Sequence, residues 1–260
     1  MPELPEVEAY RQLAESALDR PVTAVEAPDA WMLKGGIDAS AVAGALVGLA
    51  FTAARRRGKL LLLDTAGGPV LGLRFGMTGR LVVDGRAGVD KLLYSSEQGL
   101  AAWDRFGVRF ADGGHLRLHD PRRLGGVFLD PDEGRLGTDV LTLTPASLRA
   151  ALGRSAAPLK ARIMDQSRLA GVGNLLADEA LWRAGLDPRR PADSLTPAEH
   201  RRLYTHLRRS VADLITRGGS HTGDLMPARV RGGLCPRDGT PLIREAVGGR
   251  TSYWCPKHQR

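Results

Sequence analysis

The sequence predicts an α+β protein of two parts: an N-terminal helix plus β-sandwich, then a helical region that ends in a small β-hairpin. Three observations predict this. Helical spacing opens the chain, short apolar runs broken by turns fill its first half, and capped helical segments follow a Gly/Pro-rich stretch in its second half. A chain of 260 residues is long enough for two modest cores.

The first helix rests on Val7, Tyr10, Leu13, Ala14, Ala17 and Leu18, which recur at helical intervals across 6–19, with Pro21 beyond the end. The texture then changes. The runs 59–64, 70–75, 81–83, 108–110, 116–119 and 127–129 alternate with turn signals such as Ala66-Gly67-Gly68 and Asp112-Gly113-Gly114. That pattern reads as a β-sandwich. The domain expectation is therefore 1–130. Residues 131–144, with Pro131, Gly134 and Gly137 and few apolar side chains, read as a linker. In the second half, Leu175–Ala184 is a helix stopped by Gly185. Thr196-Pro197-Ala198-Glu199 carries a cap, a first-turn proline and a closing glutamate, and its helix runs to about Arg217. The helical part is placed at 145–219 and the hairpin region at 220–260.

Composition narrows the function. No run of about 18 apolar residues exists, so no membrane partner is expected. The N-terminus lacks the basic start and apolar stretch of a secretory signal. Two cysteines offer no disulfide framework and fit a reducing cytoplasm. The net charge is +8, and residues 229–260 hold seven Lys/Arg against two Asp/Glu. Such a tail suits a polyanion.

The chain opens Met-Pro-Glu-Leu-Pro-Glu-Val-Glu. Removal of Met1 would expose the secondary amine of Pro2. An α-amino group titrates near 7.7–8.0, against about 10.4 for lysine, so part of it is neutral at pH 7 and able to attack an electrophilic sugar carbon. The resulting iminium is an electron sink, and Glu3 could move protons on the sugar. Taken alone, these two residues read more readily as the start of a helix with a favourable terminal charge. Gly171-Val172-Gly173-Asn174, entering a helix, is suited to an anion but by itself is often only a turn.

The combination of segments is more specific. The opening heptapeptide, Arg57-Gly58-Lys59-Leu60-Leu61, Gly76-Met77-Thr78-Gly79, Asp120-Pro121-Arg122-Arg123-Leu124-Gly125, Asp165-Gln166 with Gly171–Asn174 and Ala177–Leu181, and the C-terminal hairpin fall in one order along nearly the whole chain. Together they resemble the formamidopyrimidine-DNA glycosylase / endonuclease VIII (Fpg/Nei, MutM-like) family. The resemblance implies a helix-two-turns-helix domain and a zinc-finger-like hairpin, with damaged duplex DNA bound between the two halves. It implies a bifunctional DNA glycosylase / AP lyase of base excision repair. In it Pro2 would be the Schiff-base nucleophile and Glu3 the proton donor to the sugar. Lys59 would serve β-elimination and hold a phosphate, and Arg250 would assist δ-elimination. Met77, Arg122 and Leu124 would fill the gap left by an everted base, while Arg105, Arg123, Lys160 and Asn174 would contact DNA.

Departures from the family pattern bear on specificity. Leu124 stands where Fpg enzymes have Phe, and Arg74 and Arg105 stand where His is common. Only fifteen residues separate Gly219 from Cys235, where enzymes specific for 8-oxoguanine carry a longer segment. That shortness and Leu124 point to oxidised pyrimidines or a broad range, whereas the Gly-Met-Thr-Gly loop points to Fpg. The finger reads Cys235-x2-Asp238, sixteen residues, Cys255-x2-His258, against four cysteines in the family. All four side chains can bind Zn²⁺. The alternative is a zincless hairpin packed by Leu242, Tyr253 and Trp254. No organic cofactor is implied, and a cytoplasmic, nucleoid-associated monomer is expected. The competing function is a non-catalytic binder of damaged or abasic DNA on the same fold. An RNA-binding protein with a C-terminal ribbon fits the N-terminal Pro-Glu poorly.

Overall fold

Glu3 begins the first helix because its extended backbone lets its carboxylate accept from the helix's third residue, while the Glu6 carboxylate accepts from the Glu3 N–H at 2.8 Å. The computed structural model describes residues 2–89, 92–93 and 100–260, so Met1 lies outside the described residues. Helix α1 spans Leu4–Ala14, and a 3-10 turn over Glu15–Ala17 replaces the last turn that the spacing predicts. Two compact units follow, 1–133 and 134–260.

In the first unit the strands are β1 (Val22–Glu26), β2 (Phe51–Arg57), β3 (Leu60–Thr65), β4 (Leu71–Arg74), β5 (Arg80–Val83), β6 (Arg86–Ala87), β7 (Asp104–Phe110), β8 (His115–His119) and β9 (Gly126–Leu129), with helix α2 over Ala39–Leu46. They form a five-stranded sheet, β1-β7-β8-β5-β6, and a four-stranded sheet, β2-β3-β4-β9, both antiparallel throughout. Leu61, Leu63, Leu71 and Leu73 from one sheet and Leu81, Phe106, Val108 and Leu118 from the other bury together in one core. The six runs read from the sequence are strands. Lys59 is not in one: Arg57 pairs with Leu60, which leaves Gly58-Lys59 as the two-residue turn, with Gly58 at φ +58°.

In the second unit, short strands β10 (Thr138–Asp139) and β11 (Leu169–Ala170) pair in parallel, so the segment read as a linker is folded into this unit from Gly134 onward. Helices α3 (Pro145–Leu152), α4 (Leu159–Ile163), α5 (Asn174–Ala184) and α6 (Pro197–Thr216) follow. Both signals read from sequence are present: Gly185 caps α5 in the left-handed region, and Thr196 and Glu199 form a capping box on α6. Strands β12 (Ile243–Val247) and β13 (Arg250–Trp254) make the hairpin, turning at Gly248-Gly249, both with positive φ.

Candidate functional site

The first unit links its candidate residues through α1. Glu3 is wholly buried and Pro2 is buried beside it. One turn on, Glu8 pairs with Arg56 at 2.9 Å, and Arg56 donates to the Gly58 carbonyl at 2.9 Å. The half-buried Lys59 turn is therefore tied to the helix that begins at Glu3. Tyr10 makes a second tie. Its hydroxyl donates to Gly79 O at 3.1 Å and its ring lies 4.5 Å from that of Phe75, so the 76–79 turn is held against α1. Burial pushes the Tyr10 phenol well above its ordinary range, which keeps it a donor.

The 76–79 turn is in turn fixed to the 120–125 turn. Asp120 has no exposed surface, and its carboxylate accepts from Thr78 Oγ1 at 2.5 Å, Arg122 N at 3.2 Å, and Leu124 N and Gly125 N at 2.8 Å each. A Cβ on Gly76 would stand 2.4 Å from the Leu124 carbonyl, so only glycine allows the two turns to approach this closely. The result presents Arg122 and Leu124 to solvent with Met77 half-buried between neighbouring turns. Met77 is thus not a core residue.

Two expected DNA contacts carry internal duties here. Arg123, at φ +56°, is held by Asp29 through bonds of 2.6 and 2.7 Å, and this pairing lowers the Asp29 carboxyl. Arg105 donates to Asp120 O at 2.9 Å and sits 3.7 Å from Asp29. Both brace the turn. Sequence reading quoted Asp120 within its motif but missed it as the organiser; an Asp followed by Pro-Arg-Arg is an Asx-turn signature that could have found it.

In the second unit, Gln166 braces the glycine turn: its amide donates to Met164 O and Val172 O and accepts from Gly171 N. Gly171 adopts φ +111° and Gly173 precedes the α5 N-terminus. The Asn174 amide nitrogen donates to Thr251 O at 3.1 Å, while its buried Oδ1 has no hydrogen-bond partner among the described residues.

Lys160 requires a correction. It is wholly buried, and its ammonium donates to Asp178 at 2.7 Å, Ser252 Oγ at 2.6 Å and Thr251 O at 3.2 Å. A lysine with all three protons so engaged holds the hairpin instead of meeting a phosphate. Asp178 also binds Arg229 at 2.7 Å and accepts from Tyr253 N at 3.3 Å. At the hairpin tip, a Cβ on Gly248 would stand 2.6 Å from Ala161 Cβ, so the turn packs closely on α4. Arg250, just past that tip, is exposed.

Below the hairpin, Cys235, Asp238, Cys255 and His258 place one ligand atom each within 4.8 Å of the others. Cys235 Sγ lies 3.6 Å from His258 Nδ1, and Asp238 Oδ2 lies 3.3 Å from the same nitrogen. His258 Nε2 is 3.2 Å from Trp182 O, which favours a proton on Nε2 and frees Nδ1 to face the cluster. Trp182 Nε1 donates to Cys235 Sγ at 3.4 Å. The Thr240 N–H, first among its partners, holds the Asp238 carboxyl far below the usual range, and burial pushes the Cys255 thiol up. Two sulfurs, one nitrogen and one carboxylate at this spacing fit a tetrahedral dication.

Among the described residues no helix is long and apolar enough to cross a membrane. The model for the formamidopyrimidine-DNA glycosylase N-terminal domain matches residues 1–127, and that for the formamidopyrimidine-DNA glycosylase H2TH domain matches residues 136–225. The formamidopyrimidine-DNA glycosylases of Salinispora arenicola and Thermus thermophilus are each 35% identical over the whole chain, which covers 96% and 98% of their lengths. Among solved structures, Lactococcus lactis Fpg in complex with abasic-site DNA is similar at a TM-score of 0.83 and 23% identity, with 100% of each chain covered. A MutM complex with DNA containing carbocyclic 8-oxo-G is similar at 0.84 and 24%, again over 100% of each chain. At those identities the solved structures speak for the fold, whereas the domain models and full-length relatives speak for descent: the chain belongs to the formamidopyrimidine-DNA glycosylase family.

Proposed function

We propose that the chain is a bifunctional DNA glycosylase / AP lyase of base excision repair, acting on double-stranded DNA that carries damaged bases or abasic sites. The observation that carries this reading is the N-terminus. Pro2 is followed by a wholly buried glutamate whose backbone N–H is occupied by Glu6 and whose helix is tied to both the Lys59 turn and the Met77 turn. A buried carboxylate adjacent to a secondary amine suits proton transfer beside a nucleophile.

With Met1 removed, the neutral Pro2 nitrogen forms a bond to C1′ as the bond from C1′ to the damaged base breaks, and the base leaves with a proton. Glu3 protonates the ring oxygen as the C1′–O4′ bond opens, which leaves an iminium between Pro2 and C1′. Loss of a C2′ proton into that sink expels the 3′ phosphate, and a second elimination expels the 5′ phosphate. Water then hydrolyses the iminium and returns the Pro2 amine. Lys59 and Arg250 hold phosphates whose leaving they assist, and Asn174 and Arg122 add DNA contacts. Met77, Arg122 and Leu124 fill the space vacated by the everted base. The 220–234 segment contains two 3-10 turns, and Glu179 accepts from Asp224 N and Leu225 N between them. A segment so short and so fastened favours oxidised pyrimidines or a broad lesion range.

Cys235, Asp238, Cys255 and His258 would hold Zn²⁺. Four ligands leave no open position, so the ion would supply structure and no chemistry. One equivalent of bound zinc, lost with hairpin order on chelation, is the expected result, and a metal-free protein with an unchanged hairpin would favour the packed zincless alternative.

The test of function is strand incision on duplexes carrying an abasic site, 8-oxoguanine or an oxidised pyrimidine. Pro2→Gly and Glu3→Gln should bind the abasic duplex yet lose base excision. Wild-type turnover by both variants would remove these residues from the reaction, and tight binding without any wild-type turnover would indicate a non-catalytic binder.

A further inference from the structure

One depression in the first unit shares only Leu124 with the residues given a role in the proposed reaction. It measures about 360 Å³ and is lined by Trp31, Lys34, Arg74, Leu124, Gly126 and Phe128. The 31–34 segment runs along the edge of β9: Lys34 N donates to Val127 O at 2.9 Å, and Leu33 bridges Val127. Two glycines keep the lining open, Gly125 against backbone and Gly126 against the Lys34 side chain. A Cβ on Gly126 would stand 2.9 Å from Lys34 Cγ, and one on Gly125 would stand 2.5 Å from Arg74 O.

Trp31 is 64% exposed, the most of any large hydrophobic residue among those described. It is not loose, because Asp29 accepts from its N–H at 3.2 Å and Lys34 donates to its carbonyl at 2.6 Å. The Lys34 ammonium also lies 4.6 Å from its ring centroid, and the Arg74 guanidinium lies 5.3 Å from that of Phe128. Arg123, also at the rim, is neutralised by Asp29. Lys34 and Arg74 have no carboxylate partner among the described residues. The depression thus combines an exposed aromatic ring, a second aromatic wall and two uncompensated cations. Leu124, the proposed gap-filling side chain, forms part of its wall.

We propose that this depression is a nucleotide subsite, in which Trp31 stacks on a base of the bound DNA and Lys34 and Arg74 receive the adjoining phosphate. Aromatic rings set among cations are how proteins hold unpaired nucleotides irrespective of sequence, because every base has a π-face. The proposal rests on the DNA-repair reading and extends it to a strand segment beside the gap-filling turns. It predicts that the enzyme holds a nucleotide near the lesion out of regular stacking.

The test is a titration of the full chain with an abasic-site duplex, followed by tryptophan emission and by affinity, for the wild type, Trp31→Phe, Trp31→Ala and Lys34→Gln. Binding should quench the wild-type emission, and Trp31→Phe should remove a large part of the quench although Trp103, Trp182 and Trp254 remain. Trp31→Ala should weaken binding about tenfold, the scale of one lost base–aromatic stack, and Trp31→Phe should recover most of that loss. Lys34→Gln should lower the salt slope by about one. If the wild type binds the duplex and all three variants match it in quench, affinity and salt slope, the subsite is wrong and the repair reading stands. If the wild type fails to bind any damaged duplex, both fall together.

Discussion

Two buried aspartates organise the two units by different physics. Asp120 in the first unit gathers a hydroxyl and three backbone N–H groups, and no cation touches its carboxylate among the described residues. Asp178 in the second unit sits between Lys160 and Arg229, with those three side chains at most 5% exposed. The first arrangement shapes a turn; the second fastens a hairpin to a helix by charge. A carboxylate serving neutral donors can be replaced by an amide at a partial cost, because one oxygen still accepts while the amide nitrogen faces the two donors of the other. A carboxylate between two buried cations cannot, because its loss strands both.

That difference sets the order of expected effects. Asp178→Ala should destabilise the protein most, by about 3–5 kcal/mol, and Asp178→Asn should recover little of it, read by denaturant unfolding. Recovery by Asn equal to the wild type would mean that the cations find other partners. Asp120→Ala should cost about 2–3 kcal/mol through unmet donors at Thr78, Leu124 and Gly125. Asp120→Asn should restore only the part of that loss carried by one oxygen, because its amide nitrogen replaces an oxygen that accepts from two donors. An Asn variant as stable as the wild type would show that the donors on one oxygen find other partners.

The smallest effect belongs to Glu199, whose carboxyl the Arg190 guanidinium, first among its partners, holds down to about 2. Its folded value lies below its unfolded one, so its contribution is present above about pH 4.5 and fades as pH falls toward 2. Glu199→Gln should cost about 1 kcal/mol at neutral pH and narrow its gap to the wild type over that window. A gap that stays constant down to pH 2 would remove Glu199 from the acid response.

Local signals were legible where a residue's duty lies within a few positions of it. The capping box at Thr196 and Glu199, the αL stop at Gly185 and the turn signals at 66–68 and 112–114 could be read because both partners are near in sequence. Strand β2 was not found, because Arg55-Arg56-Arg57 reads as a solvated run; in the fold those arginines line an edge and Arg55 and Arg56 meet Asp64, Glu133 and Glu8. Helix α2, Ala-Ser-Ala-Val-Ala-Gly-Ala-Leu, carries little apolar periodicity and is held by Val42 and Leu46 alone. Lys160 was misread for the same long-range reason. Its partners lie on α5 and β13, and no spacing rule joins them. The site motifs were legible as a set, but the duties of Arg105 and Arg123 depended on Asp29, nearly eighty or more positions away.

The central claim is that the amine of Pro2 forms the covalent link to DNA. Borohydride reduction of the protein mixed with an abasic-site duplex, followed by sequencing of the adduct, tests it most directly. The account predicts a trapped complex joined through Pro2, absent in Pro2→Gly and reduced in Glu3→Gln. A protein with a free Pro2 that binds the abasic duplex tightly yet yields no adduct, or an adduct through a lysine alone, would contradict it.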